Sequence, residues 1–234
     1  MPVYAATKNV LSSGSTSYKD MTEKIQTVDV KGIGYIEKIK GSENLYWGTD
    51  YSGGDLYEAE ELYTDGHRID HSRLIIVSYP DGRVMEPIPA REGLYFGKPV
   101  FHEGKIILLS ADFPEKKIFL DACEEKTGKI ENIAVIKRED FEDCYNLMPE
   151  TEPLMLSRQT GDVFEVLWPE RIRIPKKGNE TFCFRDEDLF YFSAWIEDPD
   201  YREELVIKDR EGHEISRRSG SLMDMPEGKK WLLI

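Results

Sequence analysis

The chain is short of the residues that carry most recognisable chemistry. Its 234 residues include only three cysteines and four histidines. Cys123, Cys144 and Cys183 are too widely spaced for a CxxC pair. That spacing excludes a zinc knuckle and argues against a disulfide framework. Reduced thiols and a cytoplasmic location are the expectation. No GxGxxG or GxxxxGK[ST] phosphate loop and no GxSxG nucleophile elbow is present. No segment approaches the ~18 apolar residues of a spanning helix, and the N-terminus lacks the apolar core of a signal peptide. Positive charge is also in deficit: 31 Lys and Arg stand against 45 Asp and Glu, a net charge of −14. The one basic stretch is RIRIPKK (171–177). A phosphate backbone or an anionic membrane needs clustered cations, so neither nucleic acid nor membrane is expected as a partner. No cofactor and no metal is expected.

What the chain has in quantity is β-hairpins. RLIIVSYPDGRVMEPI (73–88), KIFLDACEEKTGKIENIAVI (117–136), EPLMLSRQTGDVFEVLW (152–168) and EELVIKDREGHEISR (203–217) each place a glycine turn between apolar runs. Pro80-Asp81-Gly82 is the strongest of these turns, because proline pre-sets φ and glycine accepts a positive one. The turn glycines Gly82, Gly128, Gly161 and Gly212 are 46, 33 and 51 residues apart. Propeller blades run about 40–50 residues with four strands each. The expected fold class is therefore all-β: a small β-propeller-like array of four to five antiparallel sheets, with a β-sandwich as the alternative. With no Pro/Ser-rich linker, residues 1–234 read as one domain.

Some segments read less simply. Residues 1–24 are rich in Ser, Gly and Thr and read as a loose or extended arm. TVDV (27–30) and GYIEKI (34–39) alternate apolar and polar residues and read as strands. DLYEAEELYTDG (55–66) carries a capping-box pattern, Asp55 and Glu58, yet its neighbours are strands; a short strand is the reading adopted. DFEDCYNLM (140–148) has Phe141, Cys144, Tyr145 and Met148 at helical spacing before Pro149, and predicts two turns of helix. WLLI (231–234), apolar in a very charged chain, predicts a closing strand paired with a segment distant in sequence.

The candidate ligand-binding residues lie mostly in LYWGTDYSGGDLYEAEELYTDGHRIDH (45–71). Tyr46, Trp47 and Tyr51 beside Asp50 and Asp55 supply rings and carboxylates, the combination a sugar groove uses. Asp112 and Glu197 end two further strands in the way Asp50 does, and join the candidate set. His67, Asp70 and His71 are residue types that ligate metals, but the glutamate of an HExxH site is missing and the segment lies between turns. Three functions follow: a β-repeat binding module for a carbohydrate or small molecule, a glycoside hydrolase-like enzyme using the strand-end carboxylates, or a protein–protein interaction scaffold.

Overall fold

Runs such as LIIV (74–77) and KIILLSAD (105–112) are apolar at almost every position, as in strands buried on both faces. The computed structural model, which describes residues 25–51, 55–67, 72–225 and 228–234, shows why. Strands make up 51% of it and helix 6%, so the all-β class holds and a helix-flanked parallel sheet is excluded.

Four antiparallel sheets follow one another along the chain. Sheet 1 contains β1 (Glu37–Lys38), β2 (Leu45–Thr49), β3 (Leu74–Ser78) and β4 (Arg83–Met85). Sheet 2 contains β5 (Leu94–Phe96), β6 (Val100–His102), β7 (Lys105–Asp112), β8 (Lys117–Glu124) and β9 (Ile130–Lys137). Here β5 and β6 both pair with β7, so together they form one interrupted edge. Sheet 3 contains β10 (Met148–Thr151), β11 (Leu154–Gln159), β12 (Val163–Trp168) and β13 (Ile172–Pro175). Sheet 4 contains β14 (Glu180–Asp186), β15 (Leu189–Ile196), β16 (Arg202–Lys208) and β17 (Glu214–Ser219). A two-stranded hairpin, β18 (Ser221–Asp224) and β19 (Lys230–Leu233), completes the strands. Four successive meanders are not the two facing sheets of a sandwich.

The period-2 alternation of strands sorts the apolar side chains between neighbours. In β7, Ile106 and Leu108 join Trp47, Leu74 and Ile76 of sheet 1. Ile107, Leu109 and Ala111 point the other way, into a cluster with Leu156 and Leu167 of sheet 3. In β12, Phe164 and Val166 join Phe182, Phe190, Phe192 and Val206 of sheet 4. The sheets thus pack face to face in chain order. The outer face of sheet 1, with Ile75 and Val77, is covered by Val28, Val30, Ile33 and Ile36. Gly48 permits that cover: a Cβ there would sit 2.6 Å from the Tyr35 carbonyl oxygen.

Several expectations are corrected. Residues 27–30 form no strand, and of residues 34–39 only Glu37 and Lys38 do; Val28, Val30 and Ile36 pack on sheet 1. Residues 55–66 hold a helix, α1 (Leu56–Thr64), not a strand. Its capping box is complete: Asp55 Oδ1 accepts from the Glu58 amide at 3.3 Å, and Glu58 Oε2 accepts from the Asp55 amide at 2.8 Å. Leu56 and Ala59 are the face it buries. Residues 140–148 do not form the predicted helix. A 3-10 turn, Arg138–Asp140, is followed by turns up to β10. The helix loses because its backbone groups are taken: Arg138 donates to the carbonyls of Phe141 (2.7 Å) and Glu142 (2.8 Å), and the Cys144 amide donates to Glu60 Oε2 at 3.1 Å. β19 does pair, but among the described residues its partner is its sequence neighbour β18, not a distant segment. Only part of the hairpin is covered, and Trp231 remains 55% exposed. The arm at residues 1–24 lies outside the described residues.

Candidate functional site

The first strand of each sheet is also its edge, and those of sheets 1, 2 and 3 border one groove. The chain after β1 meets β6 directly: the Phe101 amide donates to the Lys40 carbonyl at 2.8 Å. Gly41 makes the approach possible, since its φ is +87° and a Cβ would lie 2.4 Å from the Phe101 carbonyl oxygen. A cleft of about 440 Å³ lies between Trp47, Thr49, Asp55, Leu56, Phe96 and Met148. A second, of about 210 Å³, lies between Lys38, Lys40, Trp47, Lys98, Val100 and Glu150. Trp47, Lys98 and Met148 border both, so the two adjoin. Lys40 and Glu150 carry the line on to a small recess beside Cys183, Asp224 and Lys230.

The residues expected from sequence separate in this frame. Trp47 and Asp55 border the same cleft. Trp47 is only 8% exposed, so it offers the groove an edge and not a broad face. Tyr46 packs on the opposite side of sheet 1, with the cover formed by residues 28–36. Tyr51 is buried in the core, its ring 5.3 Å from that of Tyr95. Burial pushes its hydroxyl pKa up to about 12. Asp50 accepts from the Arg73 amide at 2.6 Å and from Arg73 Nε at 2.7 Å, which ties β2 to β3. Asp112 is buried, ion-paired to Arg91, and accepts from the Glu115 amide at 3.0 Å, so it fixes the turn after β7. Glu197 is exposed after β15. Asp50, Asp112 and Glu197 do not border the groove. His67 is exposed beyond α1, while Asp70 and His71 lie outside the described residues. Cys123 and Cys144 are buried, and burial pushes the Cys183 thiol up to about 11, away from the thiolate that reacts.

Sequence reasoning missed Lys38, Lys40, Lys98, Met148 and Glu150. The spacing of Lys38 and Lys40 was the one available signal, because alternate strand positions share a side. Glu150 is the unusual member. Its side chain is 10% exposed, with Lys40 Nζ 3.7 Å away. It accepts a hydrogen bond from Ser157 Oγ at 3.2 Å. Burial raises its pKa, and Lys40 and Ser157 oppose the shift. A carboxyl that binds its proton more tightly when folded stabilises the fold at low pH and loses that contribution as pH rises through its folded pKa. Glu150→Gln should therefore raise the melting temperature at neutral pH, and the gain should vanish below about pH 4, the ordinary glutamate range. A variant that melts lower than wild type at pH 7 would mean that the pair with Lys40 outweighs the cost of burial.

No family model matches the chain, and no curated protein matches it. Among solved structures it is similar to dipeptidyl peptidase 4 of Porphyromonas gingivalis, at 12% identity and a TM-score of 0.40, over 76% of this chain and 30% of that one. It is also similar to an acylaminoacyl peptidase of Pyrococcus horikoshii, at 14% identity and a TM-score of 0.45, over 82% of this chain and 34% of that one. The chain spans about a third of each of these proteins.

Proposed function

We propose that the protein is a binding module whose small-molecule ligand lies in the groove along the inner strand edges. The four sheets act as blades of a propeller-like row, with the first strands of sheets 1, 2 and 3 turned to the ligand. The observation that carries this reading is that two adjoining clefts share Trp47, Lys98 and Met148 as walls. Residues from sheets 1, 2 and 3 converge there, and concave sites at such junctions are where ligands bind. Glycosidic chemistry needs two carboxylates facing one substrate, and Asp50 and Asp112 are held by Arg73 and Arg91 instead. A cytoplasmic setting is part of the proposal, supported by three cysteines that form no disulfide. Among the described residues, no helix is long and apolar enough to cross a membrane.

A thermal-shift screen against sugars, nucleotides and organic acids tests the reading, because a ligand that binds only the native state raises its stability. The expected hit raises the melting temperature of wild type and not of Met148→Trp, which fills the groove. A hit that shifts both proteins equally places the ligand elsewhere.

A further inference from the structure

We propose that the groove takes an organic anion, with an apolar body against Trp47, Val100 and Met148 and its negative group between Lys40 and Lys98. The inference rests on the groove being the ligand site and names the chemistry it selects. The chain as a whole repels anions, with a net charge of −14. Against that background, Lys38, Lys40 and Lys98 border one 210 Å³ cleft.

The carboxylates near these lysines leave much of their donor capacity unused. Lys38 donates to Glu43 at 2.8 Å, but Glu43 is 97% exposed, so water competes for that pair. Lys98 Nζ lies 3.6 Å from Glu37 Oε1, and Lys40 Nζ lies 3.7 Å from Glu150 Oε2. Those separations give attraction without a hydrogen bond. Each ammonium has three donors. The Lys40 and Lys98 side chains are 65% and 66% exposed, free to close on a ligand. Between them the wall is apolar: Trp47, Pro99, Val100, Met148 and Pro149. An inorganic anion would leave that wall in water, and an uncharged apolar ligand would leave the ammonium groups unused. The facing charges are three lysines against Glu37 and Glu150, so positive charge is in excess around the cleft.

Two dyes separate charge from body. 1-Anilinonaphthalene-8-sulfonate and N-phenyl-1-naphthylamine share the fused ring and differ by the sulfonate. The intact protein should bind the sulfonate dye roughly tenfold or more tightly than the uncharged one. Added salt should weaken the sulfonate dye alone. The double replacement Lys40→Gln and Lys98→Gln should remove the preference while the protein stays folded at the assay temperature, as circular dichroism would show; some loss of stability is expected, since Glu150 loses its counter-charge. Equal affinity for both dyes in wild type, with both lost in Met148→Trp, would overturn the anion inference and leave the groove standing. A sulfonate preference that survives the double lysine replacement would also overturn it. Binding of both dyes unchanged by Met148→Trp would place them outside the groove and remove the reading beneath.

Discussion

Lys208→Met is expected to lower the free energy of unfolding by about 3–5 kcal/mol, the cost of leaving a buried charge without its partner. Lys208 Nζ donates to Glu180 Oε2 at 2.7 Å and to the Pro175 carbonyl at 2.8 Å. The two side chains are 7% and 1% exposed, so water cannot take over either role. Glu180 also accepts from the Lys177 amide at 2.8 Å and lies 3.5 Å from Arg217. Those contacts soften the loss and place the effect toward the lower end. Removing both charges tests the mechanism: Glu180→Gln combined with Lys208→Met should recover most of the stability, since no bare carboxylate remains. In a domain of this size the single variant should melt roughly 10 °C lower. A loss no larger than about 0.5 kcal/mol, that of an ordinary surface substitution, would show that the pair contributes nothing.

Phe164→Ala should cost about as much, roughly 3–5 kcal/mol, for a different reason. Phe164 is the hub of the cluster that joins sheets 3 and 4. Its ring stacks on Phe182 with centroids 4.1 Å apart and meets Phe192 at 5.9 Å and Phe190 at 6.3 Å. Truncation removes both the transfer free energy and the contacts of a close-packed neighbourhood. Phe184 provides the control. It stacks on Tyr191 at the same 4.1 Å, but on the half-buried outer side of sheet 4. Denaturant unfolding of Phe184→Ala should show a clearly smaller loss. Equal losses would mean that burial of the cluster is not what holds the two sheets together.

The hairpins were legible because their signals are local. Gly82, Gly128 and Gly212 take the positive φ their turns require, and the apolar runs beside them are ladder strands. Helix α1 is legible in its cap, Asp55 and Glu58, although the segments on either side of it are strands. The local rule was the better guide there, because the helix needs only Leu56 and Ala59 to dock. Residues 140–148 failed in the opposite direction. Helical spacing was present, but Arg138 and Glu60, the latter more than 80 residues away in sequence, claimed the backbone groups. The groove shows the same division. Trp47 and Asp55 could be picked out by residue type. Glu150 could not, because its burial comes from packing at the meeting of sheets and leaves no mark in the residues beside it.

The row of sheets has a consequence for how the molecule comes apart. Each apolar cluster couples a sheet to its neighbour, so cohesion is passed along a line, as in repeat arrays whose stability sums over adjacent units. The groove's two clefts draw their walls from sheets 1, 2 and 3. Sheet 4 and the hairpin after it can therefore fray while the walls stay in place. A bound ligand would add a brace across the first three units and none to the fourth, and occupancy would read out as a gradient of protection along the chain.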